Sequence, residues 1–347
     1  MKNKILFIIG LIFFTTVSCE KIFMKPKPKT TPTAIFDEYT KLVREKYGML
    51  TFKQVNINHL SDSLRVFVND DMTEDSLFNV LGVITRRLKD GHTLLRSYAP
   101  VGKELTRVAF FNIGKGYPVS FHQGILDNIY IHAGMTKLSK DRAIYGRLTQ
   151  DTDIAYLRIA SFEVDITDAE LETMFTSFSG AKGLIVDVRN NGGGSPNLAT
   201  KIAAYFTSNE IYIGYENFKV GPSENDFSKS FANLKPSSSS NKFLNPVAVL
   251  TDRGVYSATT TFCYSTNPLS NVKFIGQRTG GGSGSVADGY LANGWHWNLS
   301  ISEFVGVDDA GNEQYLDNGF EPDITVLLDT LVTSQDEIIE RAILELQ

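Results

Sequence analysis

The stretch Gly183-Leu-Ile-Val-Asp-Val-Arg-Asn-Asn-Gly-Gly-Gly-Ser195 constrains the fold more than any other part of the chain. Residues 184–188 have the length and β-branched content of a strand buried on both faces. Asn190, Asn191 and the glycines 192–194 then let the backbone take dihedrals closed to most residues. Ser195 follows as a helix N-cap and Pro196 as the first helical residue, so the pattern predicts a helix over 196–206. A strand, a glycine turn and a helix N-terminus leave bare N–H groups that can face an oxyanion. The same pattern also serves as a tight βα connection without chemistry, and the rest of the chain decides between the two.

With 347 residues there is room for one large domain or two smaller ones. The net charge of −5 argues against a nucleic-acid partner, and the basic cluster Lys25-Pro-Lys-Pro-Lys29 is too short and proline-rich to be a folded binding face. Residues 1–18 read as a signal peptide, with Lys2 and Lys4 ahead of an apolar run over 5–14 that is too short to span a bilayer. Thr16-Val-Ser-Cys19 resembles a lipoprotein signal box, with Thr where Leu is usual. That resemblance implies cleavage before Cys19, acylation of Cys19, and a lipid-anchored protein of the bacterial cell envelope, periplasmic or surface-facing; a simple secretory signal is the alternative. Residues 19–33 read as a tether. With Cys19 acylated, Cys263 stands alone, so no disulfide is expected and Cys263 reads as a small buried apolar residue.

Residues 34–97 read as a small helical N-terminal domain, with apolar stripes at helical spacing over 35–47 and 76–88 and Thr73 as the N-cap of the second. Residues 98–150 read as a β-rich insert with strands at 108–111, 117–121 and 128–132. Strand and helix signals alternate over 151–330, which is α/β logic, and 331–347 closes the chain with a helix. Residues 220–245 are Ser- and Asn-rich and read as a surface loop or flap.

The buried run 247–250 leads into Thr251-Asp-Arg-Gly-Val-Tyr-Ser-Ala-Thr-Thr-Thr-Phe262. Ser257 at that strand-to-helix turn is either a helix cap or a nucleophile exposed at a helix N-terminus. Further on stand Gly276-Gln-Arg-Thr-Gly-Gly-Gly282 and Asp317-Asn-Gly-Phe-Glu-Pro-Asp-Ile324, and upstream Leu88-Lys-Asp-Gly-His-Thr-Leu94 and Ile154-Ala-Tyr-Leu-Arg-Ile-Ala-Ser-Phe162. With the segment from Asp187 and the Ser257-Ala pair, the order of these blocks resembles the C-terminal processing (tail-specific) peptidases and the tricorn-core proteases. The resemblance implies a ClpP/crotonase-like α/β fold and a serine peptidase. Ser257 falls on the nucleophile, Gly193 or Gly192 on the oxyanion-hole glycine, and Ala258 supplies the second N–H.

The base distinguishes the branches of that family. The lysine of the tail-specific branch falls on Gly282, which can accept no proton, and Arg278 stays protonated. The tricorn-like branch uses a histidine from the N-terminal unit, and His92 stands on that position. Gly91 replaces the serine that precedes it, and Leu316 stands where that branch has a glutamate. Asp317 is therefore the substitute orienting acid, with Glu313 behind it. Asp187 and Arg189 read as a structural ion pair under the glycine turn. No metal-ligand spacing or cofactor fingerprint is present, and residues 95–151 are too few for a complete PDZ domain. The expected function is a cell-envelope serine endopeptidase acting on peptides or unfolded segments. The alternatives are a catalytically impaired peptide- or lipophile-binding protein on the same scaffold and, more remotely, an acyl-CoA enzyme.

Overall fold

The computed structural model describes residues 28–98, 104–112, 121–223, 225–329, 331 and 334–347. The signal peptide, Cys19, most of the tether and most of the strand expected at 117–121 lie outside the described residues.

The chain opens with three helices, α1 (Pro32–Lys46), α2 (Ile57–Arg65) and α3 (Glu74–Arg87). Thr73 caps α3 by accepting from the Ser76 N–H. Strands β1 (Leu94–Tyr98) and β2 (Leu105–Phe110) follow, then a short helical stretch over 123–130, then β3 (Thr136–Lys137), β4 (Ala143–Arg147) and β5 (Ile154–Ile159). Next come α4 (Asp168–Ser177), β6 (Gly183–Asp187), α5 (Pro196–Ala203), β7 (Ile211–Lys219), β8 (Phe227–Leu234), β9 (Val247–Thr251) and α6 (Ala258–Thr266). The chain ends with β10 (Val272–Gly276), β11 (Val286–Tyr290), β12 (His296–Ser300), β13 (Ser302–Val307), β14 (Glu313–Tyr315), β15 (Ile324–Thr325) and α7 (Glu337–Leu346).

The centre is a seven-stranded sheet in the order β15-β10-β9-β6-β5-β4-β3. Strands β5, β6, β9, β10 and β15 run parallel to one another, and β4 and β3 complete the edge antiparallel. Every residue of β5, β6 and β9 is buried, which is why these segments are continuous apolar runs. Helices α4, α5 and α6 cover one face, and α7 with the 123–130 segment covers the other. A β14-β13-β7-β8 sheet packs beside this layer.

Three expectations are corrected. Residues 128–132 do not form a strand: Ile125, Leu126, Ile129 and Tyr130 share a helical face that packs beneath the central sheet. Residues 220–245 are not one loop, because β8 pairs with β7 over its whole length. That strand is mostly exposed at a sheet edge, so it needs few apolar residues and gives little sequence signal. The helical N-terminal unit also does not close on 34–97. Strands β11 and β12 reach back to extend β1 and β2, and Leu291, Trp295 and Leu299 complete its core. This docking brings the Leu88–Leu94 loop onto the central layer.

Parallel β6 and β9 are neighbours, with Val186 opposite Val249 and Asp187 opposite Leu250, so the turns that follow them lie side by side. Below the first turn, Arg189 is fully buried and donates to Asp187 (Nε–Oδ1 3.0 Å, Nη2–Oδ2 2.7 Å) and to both oxygens of Asp336 (2.9 and 2.8 Å). Asp336 also caps α7, so one ion-pair network ties the glycine turn to the last helix.

Candidate active site

Three turns, after β6, β9 and β10, are laced together at one end of the parallel strands. The Tyr256 N–H donates to Asn191 O (3.2 Å), the Ser257 N–H to Gly281 O (3.1 Å) and the Gly280 N–H to Val255 O (2.8 Å). Ser257 is held between them at φ 57°, ψ −122°, a conformation that costs a non-glycine residue roughly 1–3 kcal/mol. Its side chain caps nothing, which removes the role of a simple helix cap and leaves the hydroxyl at the N-terminus of α6. Ser257 lines a cavity of ≈ 340 Å³ together with His92, Gly194, Ala258, Glu216 and the aromatic pair Tyr264 and Phe304.

Gly193 lies directly against Ser257. At φ +113° a Cβ there would stand 2.7 Å from Ser257 Cβ and 2.9 Å from Ala258 N, so only glycine fits. Its N–H donates to Asn191 Oδ1 (3.0 Å). Gly192 is exposed and has open space around it, whereas Gly194 lines the cavity. Among the described residues neither the Ala258 N–H nor the Gly194 N–H makes a hydrogen bond. The turn thus stands at the cavity, with Gly193 packed against Ser257 and Gly194 bordering the cavity.

His92 arrives from the loop between α3 and β1. Asp90 fixes that loop: Oδ1 accepts from the His92 N–H (2.8 Å), and Oδ2 accepts from Thr93 Oγ1 (2.8 Å) and Ser300 Oγ (2.7 Å). The His92 ring packs against the Tyr256 ring with centroids 4.7 Å apart. Burial lowers the imidazole pKa below its usual 6.5, partly opposed by the Asp90 charge, so the ring is neutral at pH 7. His92 Nδ1 is buried with no partner, and among the described residues no hydrogen bond joins the ring to Ser257.

Tyr256 holds the centre of this arrangement. Its hydroxyl stands beside the backbone N–H groups of Gly91 and His92, and its phenol is pushed up by burial and then by the Asp90 and Asp317 charges. The ring covers Gly282, where a Cβ would lie 2.3 Å from Tyr256 Cζ. The space beside residue 282, where the tail-specific branch carries a lysine, is filled by an aromatic ring.

Asp317 is brought behind Tyr256 and not to the imidazole. Its carboxylate is ion-paired with Lys53 and accepts from the Ser283 N–H (3.2 Å), while its carbonyl accepts from the Gly282 N–H (3.0 Å). Burial, then the nearby Asp90 charge, raises it to about 6 in spite of Lys53. Glu303, close by, is raised to about 7 by burial and then by Asp317. Glu313 accepts from the Tyr215 hydroxyl (2.9 Å), and Leu316 is part of the hydrophobic core. Cys263 is free and buried in that core.

Four residues around the candidate site escaped sequence reasoning. Asp90 and Tyr256 sit inside recognised motifs next to His92 and Ser257, so their proximity was the available signal. Lys53 and Glu216 carry no motif; tertiary packing brings Lys53 from the turn between α1 and α2 to Asp317 and Glu216 from β7 to the cavity.

The chain belongs to peptidase family S41, whose model matches residues 153–326, and it is therefore a serine peptidase. A crystal structure of a candidate peptidase from Parabacteroides merdae ATCC 43184 is similar at 33% identity and TM-score 0.78, over 92% of this chain and 97% of that one. Mature CPAF shares the fold at 13% identity and TM-score 0.63, over 90% of this chain and 95% of that one. The photosystem II D1 C-terminal processing protease shares it at 16% identity and TM-score 0.58, over 90% and 97%. No curated protein matches the chain.

Proposed function

We propose that the chain hydrolyses peptide bonds through a Ser257 acyl-enzyme with His92 as general base. The observation that carries this reading is Ser257 itself, strained, uncapped and sharing a cavity with a neutral histidine and an unengaged helix N-terminal N–H. Ser257 Oγ attacks the substrate carbonyl carbon as its proton passes to His92. The tetrahedral oxyanion is received by the Ala258 N–H and by the glycine turn, with Gly194 donating and Gly193 keeping the turn against the nucleophile. His92 returns the proton to the leaving amine, then takes one from the water that cleaves the ester. Asp317 acts through Tyr256 and the Gly280–Ser283 turn, as a positioning group with no hydrogen bond to the imidazole.

The substrates are peptides or unfolded segments, a reading supported by family membership and by the peptidases that share the fold. The enzyme works at the bacterial cell envelope, held by acylated Cys19; among the described residues no helix is long and apolar enough to cross a membrane. Intact mass after exposure to a fluorophosphonate tests the chemistry. One adduct on Ser257 is expected, absent in Ser257→Ala and slowed in His92→Ala; an unmodified Ser257 refutes it. Incorporation of labelled palmitate, lost in Cys19→Ser, tests the anchor, and incorporation that survives in that variant refutes it.

A further inference from the structure

We infer that Glu216 makes the cavity beside Ser257 a site for a basic side chain, so that the enzyme prefers Lys or Arg immediately before the scissile bond. The inference rests on Ser257 being the nucleophile.

Glu216 lies in the middle of β7, opposite Phe304 of β13 and Ser230 of β8, where a carboxylate is an unusual choice for a sheet interior. Its Oε1 accepts from the Ser285 N–H (2.8 Å) and from Ser302 Oγ. Oε2 accepts nothing among the described residues, and no Lys or Arg among them pairs with this carboxylate or lines the cavity. The group is half-buried and held by two donors on one oxygen, with its charge uncompensated on the cavity side.

The rest of the wall suits the stem of such a side chain. Tyr264 and Phe304 stack at 3.8 Å and 13° to form an apolar plate, and Thr261, Val286 and Pro196 complete the lining. Methylenes packed on the plate with an ammonium or guanidinium at Glu216 would satisfy both parts of the surface. An acidic side chain would meet Glu216 unscreened, and an apolar one would bury the carboxylate without a countercharge.

The test uses acetyl-capped peptidyl diphenyl phosphonates that differ only in the side chain facing this cavity, Lys or its isostere norleucine. Rates of Ser257 modification are read by intact mass, and a free-amine norleucine probe serves as a third arm. The expected Lys-to-norleucine rate ratio is roughly tenfold to a hundredfold, the effect of one charge-assisted hydrogen bond. In Glu216→Gln the ratio should fall to about one, because the amide oxygen can still accept from Ser285 and Ser302 but carries no charge. A wild-type ratio of one or less, or an undiminished ratio in Glu216→Gln, overturns the inference while leaving Ser257 as nucleophile. A preference for the free-amine probe overturns it in favour of N-terminal recognition. Failure of the fluorophosphonate to modify Ser257 removes both readings.

Discussion

Substitution of Gly282 separates the two ways this family can activate its serine. In Gly282→Ala the new Cβ would lie 2.3, 2.4 and 2.7 Å from Tyr256 Cζ, Cε2 and Cε1. Ordinary carbon contacts begin near 3.5 Å, so the ring must withdraw by about 1 Å. Residue 282 also sits at φ +72°, where a side chain costs roughly 1–2 kcal/mol. Overpacking adds about 1–3 kcal/mol, for a total of roughly 2–5 kcal/mol of lost stability in urea denaturation. Because Tyr256 packs on the His92 ring, the displaced phenol carries the imidazole with it, and for the proposed base an error near 1 Å lowers the rate about a hundredfold. The assay is the fluorophosphonate labelling rate beside the denaturation midpoint. Gly282→Lys should fare no better, and His92→Ala/Gly282→Lys should be labelled no faster than His92→Ala, since a lysine at 282 meets the same ring. Wild-type stability and labelling in Gly282→Ala would refute the reasoning, as would a rescued rate in the double variant.

The remaining predictions concern charge. Burial depresses the His92 pKa, so the acid limb of the labelling rate should have its midpoint below pH 6.5, and the buried ring should cost stability as pH falls from 6.5 through that lower value; a midpoint at or above 6.5 in the rate profile, or in the His92 ring proton resonance, contradicts this. Lys53→Met should cost about 3–5 kcal/mol by stranding buried Asp317, and Lys53→Met/Asp317→Asn should recover most of it in urea denaturation. Because the folded Asp317 pKa is raised to about 6 even with Lys53 present, the Lys53→Met variant should regain stability as pH falls from 8 toward 5, and a loss over that range would count against the assignment.

The apolar runs 184–188 and 247–250 carried the parallel strands in their composition, because a strand buried on both faces has no polar positions to fill. The Ser195-Pro196 start of α5 and the Thr73 cap of α3 were equally legible, since capping is a local hydrogen-bond requirement. Strand β8 was not, because an exposed edge strand is stabilised by its partner and not by its own side chains. Residues 128–132 misled because a short run such as Asn-Ile-Tyr-Ile-His fits either period, and the buried face of Tyr130 was set by the sheet above it.

By itself the sequence determined the candidate parts: a serine at a strand-to-helix turn, a glycine turn before a helix, a histidine in the N-terminal unit, and a glycine at position 282. Only the tertiary structure decided how they are arranged. It placed Tyr256 in the space beside Gly282, turned Asp317 toward Lys53 and away from the imidazole, gave the cavity edge to Gly194, and set Glu216 across from Ser257. The division has one physical cause. Caps, turns and buried strands are settled by neighbours within a few residues. Burial of a charge and the filling of a cavity depend on segments far apart in the chain that meet only when the sheets dock.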